Sequence, residues 1–141
     1  MRIFKAIAAL TALAAIAACS ANAGAAPDPL PLVRGAYLEV GTDCSTLAYG
    51  ANPPPIEYLG DKFLSWVSGS SPIHLVAMAV KSATKREGNS YEVTMHLLGA
   101  PATASVQSEM TMIFNITSDK EFVITNGDAK TYRWCADKIP A

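Results

Sequence analysis

Six residues of this 141-residue chain invite a metal reading first. His74 and His96, with Met78, Met95, Met110 and Met112, supply the imidazole and thioether donors that suit Cu(I). Their spacing decides against it. Ile73 to Val80 and Tyr91 to Leu98 alternate with period two and flank the charged run Lys85-Arg86-Glu87-Gly88-Asn89, which reads as a hairpin tip. A turn around Glu87 and Gly88 sets Met78 opposite Leu97 and Val80 opposite Met95. His74 then shares the methionine face and His96 lies on the other. The methionines become core fillers beside Val93 and Phe114, and neither metal nor cofactor is expected.

Nucleophilic and acid–base chemistry fare no better. Ser82-Ala83-Thr84-Lys85 matches a Ser-x-x-Lys pattern, but that motif needs a helix to set Lys one turn behind Ser, and here it ends a strand. No Gly-x-Ser-x-Gly, His-Glu-x-x-His, phosphate loop or Cys-x-x-Cys occurs. Glu39, Glu57, Glu92 and Glu109 fall where a solvated outer face is expected. Asn115-Ile116-Thr117 is a glycosylation triplet placed mid-strand, behind a bacterial type of leader, and carries no weight. No catalytic residue is expected, and the chain reads as a non-enzyme.

The large amphipathic rings are better candidates. Tyr37, Tyr58, Trp66, Tyr132 and Trp134 are the residues that would contact a ligand or partner at a barrel mouth or surface patch. The competing account makes them packing residues, since Tyr132 and Trp134 alternate with Arg133.

The elements that must hold these residues follow from the pattern of the rest of the chain. Gly35 to Val40 is a strand with Leu38 and Val40 on one face and Tyr37 and Glu39 on the other. Cys44 to Pro55 lacks periodicity and reads as a loop across one end of the domain. Ile56 to Leu59 and Lys62 to Val67 are short strands, followed by the hairpin already described. Val106 to Thr117 is long, with Val106, Met110, Met112, Phe114 and Ile116 on one face. Ser118-Asp119-Lys120 and Asn126-Gly127-Asp128 then turn the chain into Glu121 to Thr125 and Lys130 to Cys135. Beyond the N-terminal leader no i, i+3, i+4 apolar run occurs. The fold class is all-β, an antiparallel meander of seven or eight strands. Such a sheet removes its exposed edges by closing, so a small closed or nearly closed barrel is expected.

Residues 1–23 have the layout of a bacterial secretory signal, with Arg2 and Lys5 before an uncharged Ala-, Leu- and Ile-rich stretch. Two cleavage points fit. Ala21-Asn22-Ala23 suits signal peptidase I, whereas Ile16-Ala17-Ala18-Cys19 resembles a lipobox. The second would make 1–18 the signal and Cys19 an acylated N-terminus, with Ser20 favouring the outer membrane by resemblance to enterobacterial sorting. Membrane contact is expected only through that anchor. Residues 24–33, with Pro27, Pro29 and Pro31, read as an extended linker, 34–138 as one β domain and 139–141 as a tail. With Arg2 and Lys5 removed, nine basic residues face twelve acidic ones, a net charge of −3, and no basic run exceeds Lys85-Arg86. Nucleic acid is not an expected partner.

An exported domain carries Cys44 and Cys135, which are expected to pair in an oxidising compartment and to close the meander. Strand parity tests the pairing. In an eight-strand meander, the two cysteines sit at opposite rims unless the 42–55 connection crosses back, a span of at most about 46 Å. Seven strands bring them together directly. Both arrangements stay open.

The frame Leu32-Val33-Arg34-Gly35-Ala36-Tyr37, Cys44, Glu121-Phe122-Val123 and Tyr132-Arg133-Trp134-Cys135 resembles that of a group of small exported proteobacterial proteins with no assigned activity. The resemblance covers the two ends of the domain and is consistent with the disulfide. Gly35-Ala36-Tyr37 with Arg133 is also similar to the Gly-x-Trp and late Arg of lipocalin-like barrels, with Tyr in place of Trp, which implies a ligand-carrying role by analogy alone. The expectation is a non-enzymatic periplasmic or outer-membrane-anchored binding protein that takes a protein partner or small ligand, as an inhibitor or immunity-type factor. The alternative is a carrier of a small apolar or metal ligand inside the barrel, and an enzyme of no recognisable motif is the third reading.

Overall fold

The computed structural model describes residues 26–67, 74–98 and 109–141. The leader with Cys19, the first residues of the expected linker, Ile73, the His74 side chain and the 106–108 start of the long strand lie outside the described residues. Eight strands follow one another: β1 (Gly35–Glu39), β2 (Ile56–Tyr58), β3 (Lys62–Val67), β4 (His74–Lys85), β5 (Ser90–Leu97), β6 (Glu109–Ser118), β7 (Glu121–Asn126) and β8 (Asp128–Ala136). Each pairs antiparallel with its sequence neighbour, and β1 pairs with β8, so the sheet is a closed barrel. Closure gives every strand a partner on both sides, which is why no edge is left to protect.

Alternation sorts the faces as the sequence indicates. Met78 stands opposite Leu97 and Val80 opposite Met95. Met112 pairs with Val93 and Phe114 with Tyr91, so the alternating apolar sets of β4, β5 and β6 share the interior. Gly127, at φ +83°, makes the β7–β8 turn with Asn126 opposite Asp128. Only glycine takes that conformation at low cost.

The parity question is settled by the crossing-back arrangement. After β1 the chain reverses and enters a single 3-10 turn, Cys44–Thr46, capped by Asp43, whose side chain accepts from the Ser45 N–H at 2.8 Å. This lays the connection against the outer face of β1, where Leu47 packs with Ala36, Leu38 and Ile139. Cys44 reaches Cys135 and bonds to it, with Cα atoms 5.4 Å apart. Strand β1 is therefore packed on both faces, Tyr37 inward and Leu38 outward.

Two expected boundaries move. The Pro-rich segment is not a linker throughout. Leu30 and Leu32 are buried in the main core, and Leu32 N–H donates back to the Leu30 carbonyl at 2.8 Å. Pro29 and Pro31 stay exposed, so the Pro-Leu-Pro-Leu run is itself an alternation with one buried face. Ile139, expected in a tail, is 2% exposed and belongs to the outer cluster.

Candidate functional site

Among the described residues, the barrel is sealed at one end and open at the other. Gly35, Tyr58, Lys62, Lys85, Ser90, Ser118 and Glu121 mark the sealed end, the floor, because each begins or ends its strand there. Residues 30–34 cross beneath it as a strap. Val33 N–H donates to the Asp119 carbonyl at 2.7 Å, and the Tyr37 hydroxyl donates to the Val33 carbonyl at 2.5 Å. The Tyr58 hydroxyl points to the Leu30 carbonyl at 3.4 Å. Outside the strap, Arg34 Nε and Nη2 clamp the Asp28 carboxylate at 2.9 and 2.6 Å, which holds that carboxyl below the usual range, chiefly through the hydrogen bond. Burial is the first cause that pushes the phenols up, Tyr58 to about 12 and Tyr37 further. Tyr37, Phe122, Phe114, Phe63 and Tyr58 follow one another in ring contact above the strap, at centroid distances of 4.7 to 5.6 Å, Phe114 and Phe122 stacked and the other pairs tilted.

Above those rings the interior is not filled. A cavity of about 100 Å³ lies inside the barrel. Phe63 and Phe114 form its base. Met78, Met95 and Met112, from three adjacent strands, form one side, and Ile56, Val76 and Ile124 complete the wall with Ser65. The wall is apolar. Alternation places these residues inward, but the expectation of a filled methionine core is corrected: facing side chains share an interior without occupying all of it.

Met112 and Ile124 also line a second, wider space of about 360 Å³ at the open end, with Asn126, Asp128, Lys130 and Tyr132. Lys130 Nζ stands 3.4 Å from a Glu39 carboxylate oxygen. Glu39, expected on the solvated outer face, instead shares the face of Tyr37, because β1 turns that parity inward. Burial raises the Tyr132 phenol, with Lys130 opposing the rise and Glu39 adding to it. The site is thus an apolar pocket with a polar, charge-paired rim.

The five candidate aromatics do not gather there. Tyr37 and Tyr58 are part of the floor. Trp134 sits beside the strap, its indole N–H donating to the Arg34 carbonyl at 3.2 Å and its ring under Lys120 Nζ at 4.4 Å. An added Cβ on Gly35 would collide with that indole, and Gly35 is held at φ +139°, so the close approach requires glycine there. Trp66 lies on the outer wall edge-on to Tyr49, 4.5 Å between centroids, with its buried indole N–H unpartnered among the described residues. Tyr132 alone borders the open end, stacked on Phe122 at 5.5 Å. The cavity's own lining went unnamed as a site because period-two alternation identifies a face and carries no measure of the space behind it.

The remaining chemistry stays apart. His96 is exposed on the face opposite Met95. Ser82 and Lys85 lie on strand β4, where an odd separation sends them to opposite faces. Among the described residues no three His, Cys, Asp or Glu side chains gather at metal-binding distance. Glu92 pairs with Arg86 at 2.6 Å, and Glu109 pairs with Lys81 on the outer wall. Compared with protein-family models, with curated proteins and with solved structures, the chain matches none.

Proposed function

We propose that this protein is a non-enzymatic binding protein of the bacterial envelope whose barrel holds a small apolar ligand, admitted through the open end. The observation that carries the reading is the apolar cavity beneath a polar rim, above a floor sealed by a strap. Such a geometry desolvates an apolar group and leaves its polar end wet. The Cys44–Cys135 bond fits an oxidising compartment. With the leader-like N-terminus it supports a periplasmic address, or an outer-membrane one if Cys19 is acylated.

A second reading takes a protein partner at the same end, in the manner of an inhibitor or immunity factor. Val40, Leu75, Leu98 and Met110 favour it, since all four are large, exposed and apolar and all lie near the open end of their strands. Native mass spectrometry of the protein purified gently from its own host separates the two. A small added mass that survives gentle ionisation and is lost on barrel unfolding is the outcome expected for the carrier. A protein-sized addition with an empty barrel would replace the carrier with the partner reading.

A further inference from the structure

We infer that the ligand is an unbranched aliphatic chain with a polar head that is not an anion, seated tail first, an inference that rests on the ligand-binding reading above. Shape favours a chain over a ring in the inner cavity. Its volume of about 100 Å³ is smaller than that of an apolar cavity that takes benzene, about 150 Å³. The slimmer cross-section of an alkyl chain suits it better.

The wall suits a chain as well. Met78, Met95 and Met112 are unbranched, with rotatable thioethers that adapt to a flexible occupant, while Phe63 and Phe114 are held beneath by ring contacts with each other and with Phe122. Orientation follows from the cost of desolvation. A polar head at the cavity base would meet aromatic carbon and lose its water without replacement, whereas at the rim Asn126, Asp128 and Lys130 can partner it. Met112 and Ile124 line both spaces, so one chain can occupy the two in series.

Charge at the rim selects the head. Lys130 is already opposed by Glu39 at 3.4 Å, which leaves no unmatched cation at the rim among the described residues for a carboxylate, and Asp128 repels one. Asn126 supplies amide donors and an acceptor, and Asp128 supplies acceptors. These partner a hydroxyl or amide.

Calorimetric titration of the folded chain with straight-chain alcohols of rising length, a matched fatty carboxylate and a cyclohexyl-ended alcohol of equal carbon number tests the inference. Affinity is expected to climb by up to about fourfold per added methylene and then level off once the tail is seated. The straight alcohol is expected to bind at least about tenfold tighter than either the ring-ended alcohol or the carboxylate. Met112→Trp, or the milder Ile124→Phe, plugs the neck shared by the two spaces and is expected to abolish alcohol binding while the circular dichroism stays native. Equal affinity for straight and ring-ended alcohols overturns the chain, and preference for the carboxylate overturns the head. Either result leaves cavity binding intact. Alcohol binding undiminished in a natively folded neck variant overturns the seat in the cavity. Absence of binding by every probe overturns the ligand-binding reading itself.

Discussion

Floor and mouth of this barrel are built from the same strands and differ in what terminates them. At the floor, Leu30 and Leu32 insert beneath five packed rings, and a backbone hydrogen bond from Val33 ties the strap to Asp119 in the β6–β7 turn. At the mouth, the inward positions pass from Met112 and Ile124 to Asn126, Asp128, Lys130 and Glu39, side chains that prefer water to an apolar interior. The floor is filled because a segment of the chain itself, with Leu30 and Leu32, packs into it. At the mouth the described residues leave the spaces that Met112 and Ile124 line.

The contrast breaks most visibly through stability. The Cys44–Cys135 bond closes a loop of 91 residues separation, and the chain-entropy account assigns such a loop about 4 to 5 kcal/mol. Cys44→Ser with Cys135→Ser is expected to lower unfolding free energy by that order in urea titration. A loss under about 1 kcal/mol would mean that Leu47 and Ile139 alone hold the connection against β1. Next comes the strap. Leu30→Ala is expected to cost about 2 to 5 kcal/mol, as for a buried leucine, while Met110→Ala at the mouth costs less than about 1 kcal/mol. Equal costs would erase the distinction between the two ends. Gly35→Ala, which forces a side chain into the Trp134 indole at an unfavourable φ, is expected to cost about 1 to 3 kcal/mol by the same assay.

Alkali sharpens the same comparison. Tyr58 ionises near pH 12 in the folded protein, and Tyr37 later still, against about 10 in the unfolded chain. The unfolded state therefore loses these protons first. The stability that buried neutral phenols confer is complete below pH 10 and declines as pH rises from there towards 12. Urea midpoints measured across pH 9 to 12 are expected to hold and then fall, with phenolate absorbance appearing together with unfolding. A flat profile over that range would show the floor to be open to hydroxide. The smallest effect belongs to the mouth. Lys130→Gln breaks only a half-exposed ion pair and is expected to change stability by less than about 1 kcal/mol in the same titration.

Much of the scaffold is legible in particular residues. Met78 opposite Leu97, the Asn126-Gly127-Asp128 turn and the alternation of Met110 to Ile116 each follow from local pattern, since strand periodicity and turn chemistry are properties of neighbours in sequence. The strap is less so. Three prolines signal an extended chain, and an extended chain reads equally as tether or as packed segment until its two leucines find a floor. Glu39 departs from the outer face that its charge indicates, because a charged residue beside a strand end says nothing of which rim is wet on the inside. For the candidate site, Tyr132 and the methionine face are legible in the sequence, but their relation to a cavity is not.

The sequence by itself determined an antiparallel meander, the apolar faces of its long strands and the pairing of hairpin neighbours, because these depend on alternation with a period of two. Only the tertiary structure decided which rim the strap closes, how the 40–55 connection returns to deliver Cys44 to Cys135, and that about 100 Å³ remains empty between Phe114 and the mouth. The physical reason is that a void is the difference between the circumference set by barrel closure and the summed side chains pointing into it, and no local segment contains either quantity.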